Sequence, residues 1–202
     1  MKRYTSMILR VATVASVGIG VTSLVSPADA QPLVQPGQVV TTAKAVPGLA
    51  PPNIGDRARY VDKHGRVISL ATSETPSGVD TTALGCTPVS LPDNPHYSLG
   101  DVSGHGQWDK GTCTANTAHV YNCLYEYYTD GTWRRKACSA RVQLKPKSVS
   151  NNRTTARRHC DSTGQLISWR NHVDVDVDGQ IDTSEQPYRQ ANVYCVVTGP
   201  DQ

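Results

Sequence analysis

The chain has 202 residues and a formal net charge of +3; it is 38% hydrophobic and 18% charged, with 6 Cys, 2 Met and no Phe. It is too apolar for a disordered acidic or basic tail, and no run of about 18 apolar residues offers an ordinary transmembrane helix. Scarce Met with plentiful Thr, Ser, Tyr and Val points instead to an exported, β-rich protein.

Residues 1–30 read as a signal peptide. Lys2, Arg3 and Arg10 form a positive n-region, Val11 to Val25 a mostly apolar h-region, and Ala28-Asp29-Ala30 an A-x-A site with cleavage after Ala30. The alternative, a membrane anchor, is disfavoured by the short apolar run and by the cleavage site that follows it. With no Cys at the cut and no Arg-Arg pair before it, general secretion is expected rather than lipid anchoring or twin-Arg export. Removing Lys2, Arg3, Arg10 and Asp29 leaves 17 cationic and 16 acidic residues, so net charge supports no global claim of nucleic-acid binding.

Residues 31–85 lack Cys and are rich in Pro, Thr and Gly, which predicts an arm or linker that buries little. One island differs. Arg59 to Asp62 and Arg66 to Leu70 flank Lys63-His64-Gly65, a pattern for an edge hairpin over 59–70. A cleaved pro-segment is the alternative for 31–85, and the mass of the secreted protein separates the two.

Residues 86–202 hold Cys86, Cys113, Cys123, Cys138, Cys160 and Cys195 together with all three Trp, and form the expected folded domain. An even Cys count in an exported chain predicts three disulfides. No C-x-x-C pair supports zinc. Val120 to Tyr128, the turn Asp130-Gly131, and a return strand from Trp133 to Leu144 predict a hairpin. A two-residue loop there sets Cys123 opposite Cys138, Glu126 opposite Arg135, and Tyr128 opposite Trp133. A three-residue loop with a Gly bulge would shift that register by one.

A short helix is expected over Asn151 to His159. From Ile167 to Val177 the odd positions are mostly apolar and the even ones polar, the period of a half-buried strand; Ala191 to Val197 reads as a last strand. The fold class expected is therefore all-β and mostly antiparallel: a small disulfide-stabilised β-sandwich or barrel with at most one short helix.

Asp174 to Glu185 matches a calcium-loop template, with Asp174, Asp176, Asp178, Asp182 and Glu185 at oxygen-donor positions and Gly179 at the turn. The strand running into it, Val177 and the following Gln186-Pro187 argue against a helix-loop-helix site. The readings left are a solvated acidic turn and a non-helical Ca2+ site, with no other cofactor expected.

Residues 134–170 carry ten cations against Asp161 alone, and residues 171–185 carry five acids and no Lys or Arg. Arg134, Arg135, Lys136, Arg157 and Arg158 make the candidate polyanion-binding face. Against it stands mutual neutralisation of the basic and acidic stretches within the fold. Tyr125, Tyr127 and Trp133 suit a ligand platform or, in a chain without Phe, the core. Catalysis has little support: Ser103-Gly104-His105 is no nucleophile elbow, and the histidines stand singly. Asn152-Arg153-Thr154 is a glycosylation sequon, meaningful only in a host that uses it.

Asp93 to Ser98, Trp108 to Cys113, the Tyr121–Cys138 hairpin, Ser168 to Asp176 and Pro187 to Ala191 together resemble a group of small secreted actinobacterial proteins. The resemblance spans roughly residues 86–195, implies export by a Gram-positive bacterium, and brings no catalytic residues with it. The function expected is a secreted, monomeric, non-catalytic domain that binds an extracellular partner, an anionic or glycan polymer such as cell-wall material. A hydrolase-like enzyme and a protein-binding or inhibitory domain are the rivals.

Overall fold

Strand formers alternate with polar residues through most of 86–195, and the chain responds by pairing strands. The computed structural model describes residues 45–52, 54, 58–70, 85–147, 152–160, 164–184 and 186–195. The expected signal segment at 1–30, the rest of 31–85, Asn151 of the expected helix, Glu185, and Val196 and Val197 of the expected last strand lie outside the described residues. Among these residues there is no helix, and eleven strands run in order: β1 (Arg59–Val61), β2 (Val67–Ile68), β3 (Val89–Pro92), β4 (His96–Ser98), β5 (Asp101–Asp109), β6 (Ala118–Tyr128), β7 (Thr132–Cys138), β8 (Val142–Leu144), β9 (Thr154–His159), β10 (Gln165–Val177) and β11 (Tyr188–Cys195). The all-β, disulfide-stabilised expectation holds.

Two sheets form. The larger has seven strands in the order β11-β10-β6-β7-β1-β2, with β8 also paired to β6; the smaller has four, β3-β5-β4 with β9 also on β5. Every pairing is antiparallel except β1 with β7, which is parallel. The apolar odd positions of β10 share one buried face as expected, but the strand is not half-buried throughout: Ser168, Arg170 and His172 on the other face are buried as well. Ile167, Trp169, Val173, Val175 and Val177 join Val102, Trp108, Val120 and Leu124 in buried clusters between the sheets. Burying each large aliphatic fully contributes about 1.5–3 kcal/mol relative to exposure. Gly104 and Gly106 in β5 permit the close approach: a Cβ on Gly104 would lie 2.8 Å from Asn171 Cγ, and one on Gly106 2.7 Å from Thr154 Oγ1. In that space Asn122 Nδ2 donates to Asn171 Oδ1 at 2.8 Å and to the Gly104 carbonyl at 2.9 Å, so the buried amide donor is paired in the core.

The other face of the large sheet has its own cluster of Tyr60, Cys123, Tyr125, Tyr127 and Trp133. The arm covers it: Ala50, Ile54, Ala58, Ile68 and Leu70 pack against these rings. The expected hairpin at 59–70 is present as β1 and β2, and Val61 pairs with Arg134. Tyr125, Tyr127 and Trp133 are buried, so their role is core packing.

The disulfides join Cys86 to Cys113, Cys123 to Cys138 and Cys160 to Cys195. The Cys123–Cys138 pairing stands, but the register beside it needs correction. Gly131 N–H donates to the Tyr128 carbonyl at 2.9 Å, and Gly131 has a φ of 78°, so the loop has three residues. Tyr127 therefore faces Trp133 and Glu126 faces Arg134. A bulge then inserts Lys136, Leu124 faces Ala137, and the cysteines return to opposition.

The helix expected over Asn151 to His159 is absent: Thr154–His159 is strand β9, antiparallel to β5. Thr154 and Ala156 are buried while Thr155 and Arg157 are exposed, a period of two, and the adjacent β-branched Thr154 and Thr155 favour that state. No helix among the described residues is long and apolar enough to cross a membrane.

Candidate functional site

Where the β1–β2 turn meets β7, the surface opens into a groove of about 230 Å³ lined by Val61, Asp62, Lys63, Gly65, Tyr128, Thr132, Arg134, Arg135 and Lys136. Three of these cations belong to the stretch the sequence singled out. The fourth, Lys63, comes from the arm.

The wall at 62–65 is a capped turn. Asp62 Oδ1 accepts from the backbone N–H of His64 at 2.8 Å and of Arg66 at 2.9 Å, while Oδ2 accepts from Arg66 Nε at 3.1 Å. The Arg66 backbone N–H foremost, against an opposing contribution from burial, holds the Asp62 pKa down at about 2. The carboxylate is thus ionised but committed to its own turn. Gly65, at a φ of 79°, closes that turn.

The β7 wall is set by the three-residue loop. Asp130 Oδ1 accepts from the Thr132 hydroxyl at 2.6 Å, and Asp130 Oδ2 lies 3.0 Å from Arg134 Nη2. Burial works against ionisation of Asp130, yet the bonds from Thr132 and Arg134 outweigh it and hold the carboxyl below its usual range. The Arg134 guanidinium stacks 3.9 Å above the Tyr128 ring. The bulge places Lys136 so that Nζ donates to the Tyr128 hydroxyl at 2.9 Å and pairs with the fully buried Glu126 at 3.0 Å. Arg134 and Lys136 are therefore fixed in place by partners, and the excess positive charge of the groove comes from Lys63 and Arg135. Planar guanidinium forks beside ammonium groups are suited to carboxylate or phosphate oxygens.

The remaining basic candidates lie elsewhere. Arg157 and Arg158 sit on β9 in the smaller sheet, outside the groove lining; Arg157 pairs with Asp101 at 3.1 Å. Arg170 is 2% exposed and serves the core. Arg141 pairs with Asp176 at 2.6 Å and Lys147 with Asp109 at 3.3 Å, so part of the basic stretch is neutralised inside the fold.

The acidic stretch is spread along a strand. Asp174 and Asp176 alternate along β10, and Asp178 follows at the turn. Asp176 is taken by Arg141, Asp178 accepts from Gln143 Nε2 at 2.7 Å, and Asp182 caps the Val177 N–H. Burial raises the Asp174 and Asp182 pKa values. Glu185 lies outside the described residues.

Sequence reading missed Asp62, Lys63, Tyr128 and Thr132. The turn at 62–65 was legible as a hairpin, but nothing local ties it to β7, since their parallel pairing spans most of the domain. Comparison with known protein families, curated proteins and solved structures returned no match.

Proposed function

We propose that this protein is a secreted, non-catalytic binding protein that engages an anionic polymer, an acidic glycan or cell-wall polymer, in the groove between the 62–65 turn and β7. One observation carries the reading: of the four cationic side chains that line the groove, Arg134 and Lys136 are paired with Asp130 and Glu126, and the one carboxylate among the lining residues is bound to Arg66, so Lys63 and Arg135 give the groove an excess of positive charge. Three disulfides suit an oxidising compartment, and the signal-like leader supports export to it.

The test is binding of the tag-free protein to purified cell wall, to polyphosphate and to alginate across a salt series. Binding that weakens steeply with salt and is lost in Lys63→Glu and in Arg135→Glu, with melting temperature retained, is the expected result. Arg157→Glu is expected to change it little. Binding indifferent to salt and to both groove variants, or no binding to any of the three, overturns the reading.

A further inference from the structure

On the smaller sheet, away from the groove, three chemically complementary side chains converge. Asp93 lies between β3 and β4, His96 begins β4, and His105 sits in the middle of β5. One ligand-type atom from each lies within 4.8 Å of the other two. Asp93 Oδ2 is 3.9 Å from His96 Nδ1 and 3.9 Å from His105 Nε2. The two imidazoles are tilted by 40° to one another, with ring centroids 5.4 Å apart.

The surrounding bonds orient these atoms. His105 Nδ1 lies 3.0 Å from Thr155 Oγ1, which leaves Nε2 turned towards Asp93. Asp93 Oδ1 accepts from the His105 backbone N–H at 2.6 Å and from Asn171 Nδ2 at 3.1 Å, leaving Oδ2 facing the rings. Asn171 is fully buried and held in turn by Asn122. A chain of hydrogen bonds thus runs from the core to the carboxylate, the kind of outer support that fixes metal ligands.

We propose that Asp93, His96 and His105 bind a divalent transition-metal ion of the zinc class, at a site distinct from the anion groove. Two imidazoles and one carboxylate match the borderline ions and not calcium or magnesium, which take oxygen sets. Ligand atoms about 2.0–2.1 Å from a tetrahedral ion stand roughly 3.4 Å apart, so the cluster tightens on binding. Asp93 and His96, with side chains 38% and 45% exposed, supply that movement while His105, at 11%, stays anchored in β5; His96 Nδ1, which lies 3.0 Å from the Asn94 carbonyl, exchanges that hydrogen bond and its proton for the ion. Three protein ligands leave a fourth position for water or a ligand atom from outside.

Tag-free, chelator-treated protein with its disulfides intact is titrated with Zn2+ by calorimetry, and again in millimolar Ca2+. One equivalent is expected to bind, with no competition from Ca2+ and with shifted His96 and His105 ring nitrogen signals by NMR. His96→Ala, at an exposed position, and Asp93→Asn should each weaken binding at least about tenfold while the circular dichroism spectrum is retained. Thr155→Val, a positioning change, should weaken it about tenfold as well. No uptake by the wild type, uptake reduced less than about tenfold in both His96→Ala and Asp93→Asn, or displacement of Zn2+ by Ca2+ overturns the site.

Discussion

Tyr60 and Arg170, 110 positions apart, meet in the outer core, where Arg170 Nη1 donates to the Tyr60 hydroxyl at 2.6 Å. The same guanidinium lies 4.3 Å from the Trp133 ring centroid and 4.1 Å from that of Tyr188, and its Nε donates to Gln190 Oε1 at 2.9 Å. A buried cation survives there because rings and hydrogen bonds replace its water. Tyr60→Phe keeps the ring and deletes the acceptor. It should destabilise the protein by about 1.5–3 kcal/mol, read as a lower urea midpoint at unchanged m-value. An unshifted midpoint would show that the arm does not stabilise the sheet through this bond.

His172 lies beside this cluster, edge-on to Tyr60 and Tyr125 and tilted against Tyr188. Burial foremost, helped by the Arg170 charge and opposed by the hydrogen bond to the Gln186 carbonyl, pushes its pKa down to about 3. The folded protein therefore keeps His172 neutral, whereas the unfolded chain protonates it below about pH 6.5. The stability this contributes is present in full above that pH and is lost as pH falls towards 3. Over that window the slope is about 1.4 kcal/mol per pH unit. Asp62, held at about 2, adds in the same direction only below its ordinary carboxylate range. Urea midpoints at pH 7 and pH 4.5 should differ clearly in the wild type and much less in His172→Gln. Equal pH dependence in the two proteins would remove His172 as the cause.

Local pattern was enough for β10 and for the hairpin, because alternation and turn residues act between near neighbours in the chain. It was not enough for β9, where a run with arginines and a sequon looks helical until Thr154 and Ala156 find β5 to pair with. Lys136 shows how two local errors cancelled: the loop shifted the register, the bulge shifted it back, and Cys123 met Cys138. Lys63 and Arg135 belong to segments joined only by non-local pairing, whereas Asp93 and His105 stand 12 positions apart and meet through the local β4–β5 hairpin. Those sites were illegible because single charged or imidazole groups carry no period.

The Cys160–Cys195 bridge ties β9 of the smaller sheet to the end of β11 in the larger one, across a separation of 35 residues. Both cysteines are buried in the cluster with Trp169. Closing a loop of that length stabilises by about 3–4 kcal/mol on the chain-entropy account. The double substitution Cys160→Ala/Cys195→Ala should lower unfolding free energy by about that much in denaturant titration. A loss under about 1 kcal/mol would mean that sheet packing alone sets the register between the two layers.

Asp176 and Asp178 are already engaged by Arg141 and Gln143, and Asp182 by the Val177 N–H. A calcium ion would have to compete with these partners for the carboxylates. The melting temperature should therefore be the same in millimolar calcium and in chelator. Arg141→Ala, which frees Asp176, is the variant in which a calcium-dependent rise would first be seen. A rise of several degrees in the wild type would restore the Asp174–Asp182 turn as a calcium site.

Leu99 and Gly100 form the two-residue turn between β4 and β5, with Ser98 paired to Asp101 and φ values of 52° and 84°. Both central residues are left-handed, as a type I′ turn requires. Gly100 meets that without strain, but Leu99 carries a branched side chain there and is 90% exposed. A left-handed non-glycine residue costs about 1–2 kcal/mol, and Asn tolerates the conformation far better because its side chain bonds locally. Leu99→Asn should thus raise stability by about 1 kcal/mol and the melting temperature by a few degrees, without touching any buried contact. If Leu99→Asn instead lowers the melting temperature, the turn is held by a contact of the Leu99 side chain, and the strain argument for this position fails.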